Sequence, residues 1–344
     1  IMHRPDSEEA PLGYVVTPEQ KWVMNCFTCH GGKVAGTVIP GAPNSHVALH
    51  TLTEDVSKVK LQQLKKLSHM DLAAIGIPLG TTHGTTNAVI FGVVLDSLRD
   101  PDMNFDRNRP VPSLLHHDMD PQPWWNVKRK SRIYADAFIT KNHRALMQFI
   151  LIPRNNADKI KKWESDFADI LAYIESLEAP RYRWTIDEKL AQQGEMIFND
   201  HCADCHGTYG KESVYPLKTV AITELKTDPA RLNSLPPNYR AALNLSWLSR
   251  YGKDPVVEDP GGYVAPPLNG VWASAPYFHN GSVPTLWHVL NPQERPEIWQ
   301  RTENGYDQTR VGLEVQTFKK VPKDLSTVQK RLYFDTSQFG KSAK

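Results

Sequence analysis

Cys26-Phe27-Thr28-Cys29-His30 and Cys202-Ala203-Asp204-Cys205-His206 together use all four cysteines of the chain. In each pentapeptide two thiols are followed at once by an imidazole. Each thiol can add across a porphyrin vinyl group while the histidine offers a nitrogen to iron, so one short stretch is both attachment device and proximal ligand. Two thiol pairs can also hold one zinc, but these begin 202 − 26 = 176 residues apart and both carry the trailing histidine. Thioredoxin-like redox chemistry explains neither the histidines nor the duplication, and two structural disulfides are the weaker alternative. The reading is two covalently bound haem c groups, one on Cys26, Cys29 and His30, the other on Cys202, Cys205 and His206.

Working outward, 344 residues suit about two domains, and 40% hydrophobic with 23% charged residues is ordinary globular composition. Forty Lys+Arg against 38 Asp+Glu give a net charge of +2, which provides no nucleic-acid surface and no acidic-substrate tunnel. The most apolar stretch, Asn87 to Leu98, is too short for a membrane span and contains Asp96, so no transmembrane segment is expected. Covalent haem attachment belongs to the export side of a membrane, and a periplasmic or otherwise exported protein is expected. The sequence starts at Ile1 without a charged-then-apolar leader, which is expected to have been removed or omitted.

The two motifs recur in similar settings. Thr17-Pro18-Glu19-Gln20 offers an N-cap, a first-position proline and a closing Gln, which predicts a short helix delivering Cys26. Thr185, with Glu188 three residues on, predicts a helix through Gly194 and Phe198 to Cys202. Between them, Ile160, Trp163, Phe167, Leu171, Ile174 and Leu177 recur at spacings of three or four, which predicts one amphipathic helix over 158–177, stopped by Ala179-Pro180. A domain boundary is placed at 178–184. With 26 Pro and 20 Gly the rest reads as loop-rich. Long ordered loops are expected over 101–123 and 227–268, and disorder over 1–12 and 337–344.

The run from Ala265 through Pro266-Pro267-Leu268-Asn269-Gly270 and Ala275-Pro276-Tyr277-Phe278-His279-Asn280-Gly281-Ser282 to Val283-Pro284-Thr285-Leu286 resembles the bacterial di-haem cytochrome c peroxidase superfamily. It looks most like the branch that contains the rubber oxygenases. Pro123-Trp124-Trp125-Asn126-Val127-Lys128-Arg129-Lys130 and His30-Gly31-Gly32-Lys33-Val34-Ala35-Gly36 add to the resemblance. It implies a mainly α fold of two cytochrome c-like haem domains, 1–180 and 181–344, with long covering loops and few short strands. The superfamily's peroxidases place a methionine after the His-x-Gly run as a sixth iron ligand. This chain has none there, since its last methionine is Met196. In the rubber-oxygenase-like branch the histidine of the run is the ligand, which implies that His206 and His279 hold the second iron. The competing role for His279 is a hydrogen bond to a propionate.

At the first haem the alternatives stay open. His46 lies 46 − 30 = 16 residues after His30, a spacing similar to that of the displaceable ligand in the resembled peroxidases. His50, His69, Met70, His83, Met103, His116, His117, Met119 and His143 share the same half. In the rubber oxygenases this haem keeps its distal side for dioxygen. Trp124 and Trp125 are candidates for an electron relay, against plain core packing. His116-His117-Asp118 reads as a solvated loop, and Lys58, Lys60, Lys65 and Lys66 as the wet face of a helix. The functional reading is a di-haem c-type cytochrome oxidoreductase whose N-terminal haem reacts with peroxide or dioxygen while a bis-His C-terminal haem transfers electrons. It would exchange electrons with a redox partner protein or small donor, with an organic substrate as a further partner class. The alternative is a non-catalytic carrier with both irons six-coordinate.

Overall fold

The structure, a computed structural model, describes residues 10–77, 79–111 and 117–343. His116 and most of the N-terminal stretch expected to be disordered lie outside the described residues.

A hairpin is the first element among the described residues, where a helix was expected before Cys26. Strands β1 (Tyr14–Val16) and β2 (Trp22–Met24) pair antiparallel with Val15 opposite Val23. Thr17 donates its N–H to Lys21 O (2.8 Å) and Gln20 to Thr17 O (2.9 Å), closing a turn over the residues that read as a helix start. β-branched and aromatic neighbours on both sides outweigh the capping pattern. Asn25 then turns the chain into α1 (Phe27–His30), accepting the Phe27 N–H at 2.9 Å. The ribbon β3 (Lys33–Val34) and β4 (Thr37–Val38) leads to α2 (Leu49–Gln62), α3 (His69–Gly76) and α4 (Ala88–Ser97). The apolar stretch 87–98 is therefore a core helix, buried from Ile90 to Asp96.

A 3-10 turn, Trp124–Arg129, is followed by β5 (Arg132–Ile133), β6 (Ile139–Thr140) and α5 (His143–Met147). The helix expected over 158–177 is two, α6 (Ala157–Lys162) and α7 (Glu164–Ser176), meeting at Trp163. Next come α8 (Glu188–His201) and α9 (Ala203–His206). The expected loop 227–268 is broken by short helices. β7 (Thr219–Ala221), α10 (Ile222–Leu225), α11 (Ala230–Asn233) and α12 (Pro237–Leu243) precede β8 (Gly262–Val264), which pairs with β7. After α13 (Leu286–Leu290), the long strand β9 (Ile298–Asp307) sits between β10 (Gly312–Phe318) and, beyond α14 (Thr327–Lys330), β11 (Phe334–Asp335).

The apolar clusters cross the expected boundary at 178–184. One joins Phe91, Leu95, Met147 and Ile160 to Trp247. A second joins Val93, Phe138 and Ile139 to Leu235, Leu243 and Val257, and a third joins Val34, Ala42 and Trp125 to Trp272 and Ala273. Residues before and after the boundary thus bury their apolar faces against each other. The tail expected to be disordered is anchored through Lys341. This residue is buried and donates to Thr82 Oγ1 (2.6 Å) and lies 3.4 Å from Asp118 Oδ2. A lysine taken out of water keeps its place only with such partners.

Candidate functional site

In the first motif Cys26 caps a single turn, its carbonyl accepting from the N–H groups of Cys29 (3.2 Å) and His30 (3.1 Å). That turn places both thiols and the imidazole within the five residues Cys26–His30. Its last carbonyls, unpaired within so short a helix, are satisfied from outside: Asn44 gives its N–H to Cys29 O (2.8 Å) and its side-chain amide to Thr28 O (2.6 Å), while the Gly41 N–H binds His30 O (2.7 Å). Gly32 is required here, because a Cβ would stand 1.9 Å from Pro43 O. His30 donates Nδ1–H to the Gln122 carbonyl (3.0 Å), and its ring stacks on Trp124 at 4.8 Å and 23°. A proton fixed on Nδ1 leaves Nε2 as the lone-pair nitrogen. Burial pushes this imidazole down to about 4 even against the Gln122 bond, so it is neutral at pH 7. Burial pushes the Cys29 thiol up to about 12, with the Cys26 thiol adding to the shift, which disfavours a thiolate that would bind a bare metal ion.

The second motif repeats the pattern. Asp187, not Thr185, caps α8, accepting from Lys189 (3.0 Å) and Leu190 (3.1 Å), because it is the residue directly before the first helical position, Glu188, where a carboxylate meets the free N–H groups of the first turn. Cys202 O accepts from Cys205 (3.2 Å) and His206 (2.9 Å). Gly207, at φ 82°, ends the turn where a Cβ would meet Val214 O at 2.3 Å. His206 donates Nδ1–H to the Pro266 carbonyl at 2.8 Å, leaving Nε2 available as in the first motif. All four thiols are free.

The segment 262–266 holds two histidines at once. Pro266 fixes His206, and 266 − 263 = 3 residues earlier the Tyr263 ring stacks on His279 at 4.2 Å and 21°. Burial, with the positive fields of His117 and Arg231, pushes His279 down to about 3. His46 goes elsewhere: its Nε2 bonds the Glu303 carbonyl (2.9 Å) of β9, and burial beside Arg301 pushes it down to about 4. Its Nε2 is thus engaged by backbone, and its Nδ1 lies 3.4 Å from Ser45 Oγ.

Several other candidates in this half are committed too. His50 accepts from the Leu79 N–H (3.2 Å) and faces Glu54 (3.3 Å), His83 contacts Thr51 Oγ1 (3.3 Å), and His143 contacts Glu164 (3.3 Å). Met103, Met119 and His117 are buried, and Met70 packs against the first cluster. His117-Asp118 is thus interior, not a solvated loop, with Asp118 held by Thr81 through its N–H and hydroxyl, each at 2.8 Å. Among the described residues no three His, Cys, Asp or Glu side chains converge on one point.

Trp124 and Trp125 lie on a segment that touches the first motif and the stretch whose Pro266 carbonyl holds His206. Gln122 and Trp124 hold His30. Trp125 donates Nε1–H to Asn269 O (2.8 Å), and Asn126 donates to Pro267 O (2.9 Å), one residue after the carbonyl that holds His206. Upstream, the Asp120 N–H binds His279 O at 2.9 Å. The backbone carbonyls of Gln122 and Pro266 leave no trace in residue identity. Asn126 stood inside a quoted run, but only its bond gives it a role.

The residues present fit a thioether-bound porphyrin at each motif: free thiols three apart, an imidazole with Nδ1 committed and, in α8, exposed apolar side chains Leu190, Met196 and Ile197 leading into Cys202. Residues 262–300 match the family model of the RoxA-like, cytochrome c-like domain. This segment is similar to the RoxA-like cytochromes c. It contains Pro266 and His279, and a cytochrome c-like domain implies covalently bound haem c. Two curated proteins of Sinorhizobium fredii (strain NBRC 101917 / NGR234) are similar. The uncharacterized protein y4iM is 30% identical over 163 residues, 41% of this chain and 37% of that protein. The uncharacterized protein y4iJ is 25% identical over 181 residues, 37% of this chain and 30% of that protein. The chain thus matches only about a third of the length of these curated relatives.

Proposed function

We propose that this chain is an exported di-haem c-type cytochrome oxidoreductase, with inequivalent haems at Cys26/Cys29 and Cys202/Cys205. When bound, haem supplies one-electron exchange and, where an axial position is open, reactivity toward peroxide or dioxygen. His30 and His206 present Nε2 as proximal ligands, each oriented by a backbone carbonyl. His279, held by Tyr263 on the stretch that orients His206, is the second ligand of the C-terminal iron. Near the first motif His46 is turned to β9, its Nε2 taken by the Glu303 carbonyl, which supports this half as the one that would meet peroxide or dioxygen.

The observation that carries the reading is the segment 120–126, which contacts His30 directly and reaches His206 through the neighbouring Pro266 and Pro267 carbonyls. A stacked indole and two hydrogen bonds connect the two sites over few covalent links, which suits Trp124 and Trp125 as a relay. The chain would draw electrons from a redox partner protein or small donor. Among the described residues no helix is long and apolar enough to cross a membrane.

The test is optical and EPR spectroscopy of the ferric and half-reduced protein, followed by peroxide and, separately, oxygen exposure of the reduced form. One low-spin bis-His signal with a second haem that responds to oxidant is expected. Two low-spin haems that ignore both oxidants would leave the electron carrier instead.

A further inference from the structure

Arg231 is among the most deeply buried large side chains of the protein, 1% exposed, on the short helix α11. Its guanidinium lies over the rings of Phe138 (4.9 Å) and Tyr134 (5.9 Å). Asp136 takes one edge: Nη2 donates to Oδ1 at 3.3 Å, and Nε stands 3.2 Å from Oδ2. Nη1, fully buried, has no hydrogen-bond partner among the described residues. A buried guanidinium N–H without an acceptor is costly, and the acceptor that best matches it is a carboxylate or phosphate oxygen.

The neighbouring acids are already committed. Asp228 accepts from the N–H groups of Ala230 (2.8 Å) and Ser342 (3.0 Å), and Asp259 pairs with Arg240 (2.6 Å) toward the surface. Arg240 spends its other terminal nitrogen on Leu232 O (2.7 Å). None of these groups supplies Arg231 Nη1 with an acceptor.

Hydrogen bonds tie Arg231 to the segment that holds His279: Tyr263, whose ring stacks on His279 at 4.2 Å, donates its hydroxyl to Asp228 O (2.8 Å) just ahead of α11, and the Val264 N–H binds Ala135 O (2.9 Å) next to Asp136. Arg231 and its partner Asp136 therefore both adjoin residues that brace the segment carrying Tyr263, whose stacked partner His279 the proposed function assigns to the C-terminal iron. A porphyrin held there carries its two carboxylates on side chains at the macrocycle edge, about one side-chain length beyond the ring. We infer that Arg231 is a carboxylate seat beside His279, receiving one propionate of the haem attached at Cys202 and Cys205 through Nη1, while Asp136 and the rings of Phe138 and Tyr134 hold the guanidinium in place. This rests on the reading of His279 as an iron ligand. Arg231 would be a positioning residue that also favours the reduced haem by its charge.

The experiment uses the matured full chain, prepared with haem labelled with carbon-13 at the propionate carboxyls, in the wild type, Arg231→Gln and Arg231→Lys. Redox-difference infrared spectra read the labelled carboxylates, and potentiometry reads each haem. In Arg231→Gln a labelled carboxylate band should move and the midpoint potential of the second haem should fall, with the first haem unchanged. Should Arg231→Gln fail to mature, Arg231→Lys carries the test, because it keeps the charge but loses the planar fork: the labelled band should still move. Labelled bands identical to wild type in a folded variant would overturn the assignment. A saturable change in the second haem's spectrum on adding acetate to wild type would also overturn it, by placing a free carboxylate in the seat. His279→Ala separates the two readings. If it turns the second haem high-spin while the Arg231 variants change nothing, the seat alone is lost; if it leaves the haem low-spin, the ligand reading falls.

Discussion

Replacing Asn126 by leucine tests the connection between the two motifs with little change in volume. Asn126 is 4% exposed, and its amide donates to Pro267 O at 2.9 Å, next to the carbonyl that orients His206. Losing the donor leaves a buried carbonyl without its partner, a cost of about 1–3 kcal/mol. Asn126 Oδ1, however, is itself buried without a hydrogen-bond partner, and leucine removes that burden, so the net loss should sit at the lower end, about 1 kcal/mol. Asn126→Asp is the harsher change. It sets a carboxylate against the Pro267 carbonyl in a buried site, for which about 3–5 kcal/mol is expected. Urea unfolding of the matured protein reads both as a shift in midpoint at constant slope. Pulsed reduction of one haem, followed optically, reads electron exchange between the sites, which should slow in Asn126→Leu while both haem spectra are kept. An Asn126→Asp protein as stable as wild type would refute the stability argument, and unchanged exchange in Asn126→Leu would remove this segment from the electron path.

Burial pushes Asp96 up to about 6 from an ordinary 3.8, with Ser246, Arg109 and Arg99 working against it. Since the folded value is the higher one, the protonated carboxyl favours the fold at low pH. That contribution, roughly 3 kcal/mol, is lost as pH rises from about 4 to about 6. Asp96→Asn should therefore match wild type near pH 4 and exceed it in stability at pH 7; thermal melts at the two pH values would expose equal stability at both as a failure. His46→Ala should leave the first haem's spectrum unchanged and cost only about 1 kcal/mol, since it removes one bond to a backbone carbonyl. A new high-spin signal would return His46 to the ligand set. Gly32→Ala drives a methyl into Pro43 O, 1.9 Å from the ideal Cβ position, and should abolish haem attachment at Cys26 and Cys29, which a haem stain of the secreted product would detect.

What the sequence made legible was the chemistry carried by side-chain identity. The two Cys-x-x-Cys-His turns form as the motif demands, and the run from Ala265 to Leu286 contains Pro266, whose carbonyl holds His206, and His279, which stacks on Tyr263. Local propensity misled at Thr17-Pro18-Glu19-Gln20, where cross-strand pairing of Val15 with Val23 won over a capping pattern, and at Trp163, where one apolar stripe belongs to two helices. The shared cores were hidden for a different reason. Phe138 packing on Leu243, or Phe91 sharing a cluster with Trp247, depends on long-range topology that a periodicity within one segment does not encode. His46 illustrates the limit of spacing as evidence: it sits at a ligand-like interval from His30, yet its ring is taken by the Glu303 carbonyl, 257 residues away.

The most direct measurement is the intact mass of the matured chain, with peptide mapping of its four cysteines. The account predicts two haem additions, one spanning Cys26 and Cys29 and the other spanning Cys202 and Cys205. A single addition, or unmodified thiols at either pair after maturation in a cytochrome c-competent host, would contradict it.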